Sequence, residues 1–259
     1  MIKLKSKEKK FFKDNGYLHL KSVVSKKKIE KFKSTFFDLL SNYSGFTVNK
    51  NFDDFNLKLK LKKFRKRNQI KFFKFFRTVS LTKTFCDLYN DEKINKFSAE
   101  LLNSKITDLI IAEPQFRLDE PTDKLYSLDW HQDASHYKQD STGIDSLVIN
   151  VSIQKQSYDM GTPLIKAGSH KAGKQKIVKF RGKSKVLQLM PAKSVINNPI
   201  YKTKFIESQP GDIVFYDMRL LHKSGYNKSR KVRFSVLARA FNPLSRNFKT
   251  FRYITKILN

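Results

Sequence analysis

The 259-residue chain has a single cysteine, Cys86, and only nine glycines and seven prolines. One cysteine excludes an intrachain disulfide framework and suits a reducing interior. No uninterrupted apolar run reaches the roughly 18 residues that a membrane-crossing helix needs. The opening MIKLKSKEKKFFKDNG is charged, with no apolar stretch and no small-residue cleavage site after it. A secretory signal is therefore not expected, and a cytoplasmic protein is the default. Acidic residues are scarce, with 23 Asp and Glu against 53 Lys and Arg, a formal net charge of +30. No Gly-, Ser- or Pro-rich linker and no internal repeat divides the chain, so one domain over residues 1–259 is expected.

What is present points to a globular protein. The apolar fraction is 39%, with 23 Phe and 10 Tyr. Charge of this sign attracts phosphate, and nucleic acid is the first partner to consider. The basic residues are 42 Lys and 11 Arg, however, and a bias of Lys over Arg with scarce Ala, Gly and Pro is what an AT-rich genome writes at tolerant surface positions. Readers of nucleic acid favour Arg for its two-pronged contacts. Dedicated nucleic-acid binding is thus not expected, although the surface favours anions. The run KLKLKKFRKR, residues 58–67, reads as a solvated loop or helix face, with steering of an anionic substrate as the alternative.

Residues 1–108 read mainly as helical support. Ser25 is placed to cap a helix whose Ile29, Phe32, Phe36, Phe37 and Leu40 recur at helical spacing. A second helical pattern covers 68–78, with Ile70, Phe73 and Phe76 on the stripe expected to face the core. A third covers 83–103 and carries Phe85, Leu88, Tyr89, Ile94 and Leu101. From 109 to 245 the texture becomes LIIAEPQFRL, SLVINVSI, KVLQLM, IVFYD and VRFSVLARAF, short β-prone runs between turn signals. Residues 246–259 form a tail. The fold class expected is α+β, an antiparallel sandwich or barrel buttressed by N-terminal helices.

Within this frame DWHQD, residues 129–133, places the only Trp beside a His and two Asp. In an extended segment His131 and Asp133 share a face, which makes them two parts of a metal site or a plain hydrogen-bonded pair. Of the other histidines, His19 lies in strand-like YLHL and reads as structural. His170 in AGSHK reads as a turn residue bonded to backbone, and His136 faces substrate or solvent. His222 follows a turn and a β run and precedes Arg233 by eleven residues. His131, Asp133 and His222 together would occupy one face of an octahedral Fe(II), leaving positions for 2-oxoglutarate and O2. The far carboxylate of 2-oxoglutarate needs a fixed cation, and Arg233 suits it, sharing a strand face with Ser235; Arg230 and Arg239 are nearby alternatives.

Four motifs in order resemble the phytanoyl-CoA dioxygenase family of Fe(II)/2-oxoglutarate oxygenases. They are FFKDNGYLHLKSVVSKKKIEKF, FRLDEPTDKLYSLDWHQD, GTPLIKAGSHK and PGDIVFYDMRLLHKSGYNKSRKVRFS. The resemblance implies a double-stranded β-helix, or jelly roll. It also implies metal ligands at His131, Asp133 and His222 and a 2-oxoglutarate arginine at Arg233. Ser224 and Asn150 would touch the cosubstrate by the same matching, although Asn150 replaces a larger, often aromatic residue. Trp130, Gln132, His136 and Tyr137 flank the first ligands as candidates for pocket wall or ligand support. Related halogenating enzymes replace the carboxylate ligand with a small residue; Asp133 is intact, so hydroxylation is the implied outcome, with succinate and CO2 released. The implied substrate is a small molecule, with the basic surface favouring an anionic one. The competing readings are a non-catalytic jelly roll that binds anions or nucleic acid, and a Zn- or Mn-dependent cupin-like enzyme.

Overall fold

The computed structural model describes residues 3–122, 127–136, 145–180, 188–245 and 248. The chain starts with helix α1 (Ser6–Asn15), turns at Gly16 and enters strand β1 (Tyr17–Leu20). Gly16 adopts φ +76, and a Cβ there would run into the His170 ring. Only glycine meets both conditions without cost.

Helix α2 (Lys26–Ser44) starts where the Ser25 side chain accepts the Lys28 N–H, and it buries Ile29, Phe32, Phe36, Phe37 and Leu40 as its spacing predicts. The basic run forms a helix, α3 (Asn56–Arg67), whose inner side buries Leu57, Leu61 and Phe64. Helix α4 (Gln69–Leu81) corrects the expected stripe. Phe72, Phe75 and Val79 are buried and Phe76 of the expected stripe stacks on Phe116, whereas Ile70 is 72% and Phe73 51% exposed. In a run as apolar as FFKFF two stripes are available, and packing against Phe36 and Phe64 selects the one containing Phe75. The stretch 83–103 is two helices, α5 (Lys83–Tyr89) and α6 (Glu92–Leu101), because the Asp91 carboxylate accepts the Lys93 N–H and starts a new helix.

The strands follow as β2 (Ile110–Asp119), β3 (Ser146–Ser152), β4 (Leu164–Lys166), β5 (Ile177–Phe180), β6 (Gln188–Pro191), β7 (Thr203–Phe205), β8 (Ile213–Asp217), β9 (His222–Lys223) and β10 (Arg233–Phe241). Lys185–Leu187 of the predicted KVLQLM strand and most of the 246–259 tail lie outside the described residues. The main sheet has the order β1-β8-β3-β10-β2, antiparallel throughout, and a smaller antiparallel sheet runs β7-β4-β9. The two sheets pack through Val148, Val214 and Tyr216 of one and Ile165 of the other. This is the jelly-roll arrangement, with the helices covering the outer face of the main sheet.

Alternation along the strands decides what each face does. Leu147, Ile149 and Val151 of β3, Phe215 of β8 and Phe234, Val236, Ala238 and Ala240 of β10 join the helices in one core. Burying each large apolar side chain there contributes roughly 1.5–3 kcal/mol. Phe234 stacks on Phe116 with centroids 5.4 Å apart and an interplanar angle of 4°. The intervening residues, Asn150, Tyr216, Arg233, Ser235, Leu237 and Arg239, face the space between the sheets. On β2 the pairing to β10 shifts between Leu237 and Arg239, beside Glu113 with φ 55. The extra residue changes parity there, so Ala112 before it and Gln115 and Arg117 after it lie on the inner side.

Candidate active site

Two histidines meet through their backbones. His131 N–H donates to the His222 carbonyl at 2.9 Å, and His222 N–H donates back to His131 at 3.0 Å. DWHQD is therefore not a regular strand, as the extended reading supposed. His131 forms an isolated bridge, and Asp133 opens a short 3-10 turn through His136. The turn brings the carboxylate back over the imidazoles. Asp133 Oδ1 lies 3.4 Å from His131 Nε2 and 3.3 Å from His222 Nε2. One ligand atom from each of the three residues falls within 4.8 Å of the others, so the group can hold a metal ion.

The tautomers are fixed from behind. His131 Nδ1 sits 2.7 Å from the Asp129 carbonyl and His222 Nδ1 2.9 Å from the Leu220 carbonyl, so each Nδ1–H donates and each Nε2 keeps its lone pair inward. Burial and the neighbouring His222 push His131 down to about 4, which keeps it neutral at ordinary pH. Arg239 donates to Asp133 Oδ2 at 2.9 Å. Although burial alone would raise Asp133, Arg239 and the two histidines hold its carboxyl well below the usual range. Ser169 of the AGSHK loop accepts the Leu221 N–H at 2.9 Å, tying that loop to the chain just before His222.

Along the cavity from this cluster stands Arg233, 2% exposed, with Asp119 directly opposite in register on β2. Arg233 Nη2 donates to Asp119 at 2.7 Å and Nη1 to Ser235 at 3.0 Å. Asp119 is also gripped by Arg117 through both Nε and Nη2. That pairing raises Arg117, whereas burial lowers Arg233. Both guanidinium groups thus share the one Asp119 carboxylate. Its Nε, like Asn150 Oδ1, is buried with no hydrogen-bond partner among the described residues. Buried polar atoms are nearly always partnered, so a donor and an acceptor facing one cavity fit a polar ligand that spans it. Burial pushes the Tyr216 phenol, which lines the same cavity as Asn150, up to about 12. Ser224 Oγ accepts from Leu128 N–H at 3.0 Å and from Arg117 at 2.9 Å.

The structure thus brings His131, Asp133, His222, Arg233, Ser224, Ser235 and Asn150 to one cavity. Trp130 and Gln132 do not line it. Trp130 packs on Ile196 and Leu221 with the Lys166 and Lys223 ammonium groups over its ring at 5.4 and 5.1 Å. Gln132 bonds the Gly173 and Arg219 carbonyls and the Gln175 N–H, and so holds the loop around the ligands. His136 lies beside His131 with ring centroids 6.1 Å apart. Tyr137 lies outside the described residues. His19 pairs with Asp212 at 2.9 Å and His170 with the Lys13 carbonyl at 3.0 Å, both structural as expected. Arg230 is exposed and does not line this cavity. Arg117, Asp119 and Tyr216 were not anticipated, and Arg239 only as a neighbour of Arg233. The signal for Arg117 and Asp119 is their alternation along FRLD, which becomes legible only once β2 is paired with β10.

A jelly roll with a buried two-histidine, one-carboxylate cluster and an arginine on the same inner face defines the architecture of the non-haem iron oxygenases. Residues 12–235 match the model of the phytanoyl-CoA dioxygenase (PhyH) family. The chain belongs to that family, and is a non-haem iron, 2-oxoglutarate-dependent dioxygenase. Among solved structures it is similar to the epimerase SnoN in complex with Fe3+, alpha ketoglutarate and nogalamycin RO, with 16% identity, TM-score 0.61, and coverage of 91% of this chain and 82% of that one. It is also similar to EctD from S. alaskensis with 2-oxoglutarate and 5-hydroxyectoine, with 13% identity, TM-score 0.64, and coverage of 95% and 80%. At these identities the likeness establishes the fold. Comparison with curated proteins finds no match.

Proposed function

We propose that the protein hydroxylates a small anionic metabolite, with His131, Asp133 and His222 as the Fe(II) ligands and Arg233 as the anchor for the far carboxylate of 2-oxoglutarate. The observation carrying this reading is the convergence of two inward Nε2 lone pairs and one carboxylate oxygen within 4.8 Å, on the same cavity as the buried Arg233. Iron with 2-oxoglutarate supplies O2 activation, with succinate and CO2 as coproducts. The protein supplies the rest. The Asp129 and Leu220 carbonyls hold the imidazole tautomers, Arg239 aims Asp133, and Asp119 and Ser235 hold the Arg233 fork open toward the cavity. Ser224 and Asn150 line the space between and offer hydrogen bonds to the cosubstrate. Val148, Leu237 and Pro163 close the wall and limit water.

Charge supports an anionic substrate. Arg117, Arg233, Arg239 and Lys223 line the cavity, against the carboxylates of Asp133 and the adjoining Asp119. A divalent iron and a doubly charged 2-oxoglutarate cancel, which leaves two positive charges for the substrate to meet. A carboxylate or phosphate group fits that surplus.

The direct test is anaerobic titration with Fe(II) and 2-oxoglutarate, followed by the weak visible band of an iron-chelated keto acid. The band should form in the wild type and be missing in His222→Ala. Its persistence in that variant would remove His222 from the site.

A further inference from the structure

Helix α4 presents two faces of opposite chemistry. Phe72, Phe75 and Val79 pack inward. On the far side Ile70 (72% exposed), Phe73 (51%) and Leu81 (73%) recur at the helical period, with Lys74 and Arg77 on the same stripe and Lys71 beside it. No described residue covers this stripe. The neighbouring α3 ends in Lys66 and Arg67, one residue before α4 begins, and carries Leu59 exposed at 62%. From Phe55 to Lys83 the chain has eleven Lys and Arg and no Asp or Glu. Among the described residues, Arg65 pairs with Glu120 and Lys83, the last residue of the segment, pairs with Asp87.

We propose that the outer face of α4, together with the basic end of α3, docks the protein onto an anionic lipid surface. Isolated exposed apolar residues are common, but a one-sided row of Ile, Phe and Leu framed by cations, with no acidic residue in the segment, is the composition of an interfacial helix. The aliphatic and aromatic side chains enter the boundary between headgroups and acyl chains. The ammonium and guanidinium groups meet lipid phosphates and carboxylates, each contributing near the surface and fading with salt. Nucleic acid would use the same cations but offers nothing to Ile70 and Leu81. An acidic protein would meet the cations without requiring the exposed Ile70, Phe73 and Leu81 between them. The docking face lies outside the metal cluster and rests on observations independent of it.

The test uses the full chain and sedimentation with phosphatidylcholine vesicles, with and without about 30% phosphatidylserine. The wild type should bind the anionic vesicles and not the neutral ones, and binding should fall as salt rises. Replacing both apolar residues, Ile70→Ser with Phe73→Ser, should weaken partitioning by about tenfold or more, with 2-oxoglutarate binding retained. Lys71→Glu with Lys74→Glu should abolish it. Lys202→Glu with Lys204→Glu makes the same charge change on exposed positions elsewhere and should leave binding within about twofold. Thermal melts establish that each variant is folded. Failure of the wild type to bind would overturn the proposal. So would a loss in the Lys202/Lys204 variant equal to that in the Lys71/Lys74 variant, because the whole basic surface would then be responsible. Retention of a DNA duplex that depends on Ile70 and Phe73, with vesicles ignored, would overturn it in favour of nucleic acid.

Discussion

Strand β10 reads as two interleaved sequences. Phe234, Val236, Ala238 and Ala240 face the helices and are 0% exposed, within the apolar core. Arg233, Ser235, Leu237 and Arg239 face the opposite way, and two of them hold the carboxylates of Asp119 and Asp133. The first set anchors the strand and the second carries chemistry, 180° apart on one backbone. A buried Arg is costly unless something rigid positions its counter-charge. The Phe-rich layer behind it provides that rigidity. The two faces are therefore coupled mechanically and separable chemically, and substitutions should divide along that line.

The largest effect belongs to the inner side. Removing a ligand, as in Asp133→Ala, should abolish iron binding and turnover while leaving the metal-free protein folded, as calorimetry and Fe(II) titration together would establish. Phe234→Ala should do the reverse. Loss of a ring packed on Phe36, Phe52 and Phe116 should cost about 3–5 kcal/mol and lower the melting temperature by about 10 °C, with iron still bound below the transition. If Phe234→Ala instead lost iron at full stability, the division between faces would be wrong.

Arg233→Ala should come next in size. It should raise the 2-oxoglutarate KM by about a hundredfold, the cost of removing a buried charge-assisted pair, while sparing metal affinity. The same KM change in Arg117→Ala without any in Arg233→Ala would reassign the anchor. Arg239→Gln sharpens the comparison from the other end of β10. The Arg239 Nη2 holds Asp133 at the metal end of the cavity, so metal affinity should fall by about 10- to 100-fold with little change in the 2-oxoglutarate KM.

Much of this division is legible in the sequence, though not all of it. VRFSVLARAF shows its two faces by alternation alone, and the order of HxD, distal His and Arg points to the candidate centre that the fold then brings together. Two things escape. Asp119 looks like the first residue of a turn in DEPT, and only its register opposite Arg233 makes it part of the site. The Glu113 bulge changes which residues of β2 face inward, and nothing in AEPQ states its parity beforehand. Helix α4 failed for another reason. Phe72, Phe73, Phe75 and Phe76 satisfy two stripes equally, and long-range contacts made the choice. Local pattern specifies elements well; pairing between elements specifies the site.

The smallest predicted effect is on stability, and its sign follows from the same burial. An exposed histidine takes its proton near 6.5, whereas His131 in the folded, metal-free protein takes it at about 4. Between those values the unfolded chain binds a proton that the folded chain refuses, so acidification favours unfolding. His136 and His170 are also lowered by burial and act in the same direction. Asp133, held below its usual value, contributes stability above about 4 and loses it only at lower pH, so it does not reverse the trend. The melting temperature of the metal-free protein should therefore fall steadily from pH 6.5 toward 4. His131→Gln, which keeps a polar side chain without the titration, should flatten the slope. Divalent metal should raise the melting temperature across this range and lose that effect toward pH 4, where protons begin to compete for His131 Nε2. A melting temperature independent of pH in the metal-free wild type would mean that the histidine cluster is solvated rather than sealed, and the rigid-layer account of β10 would have to be abandoned.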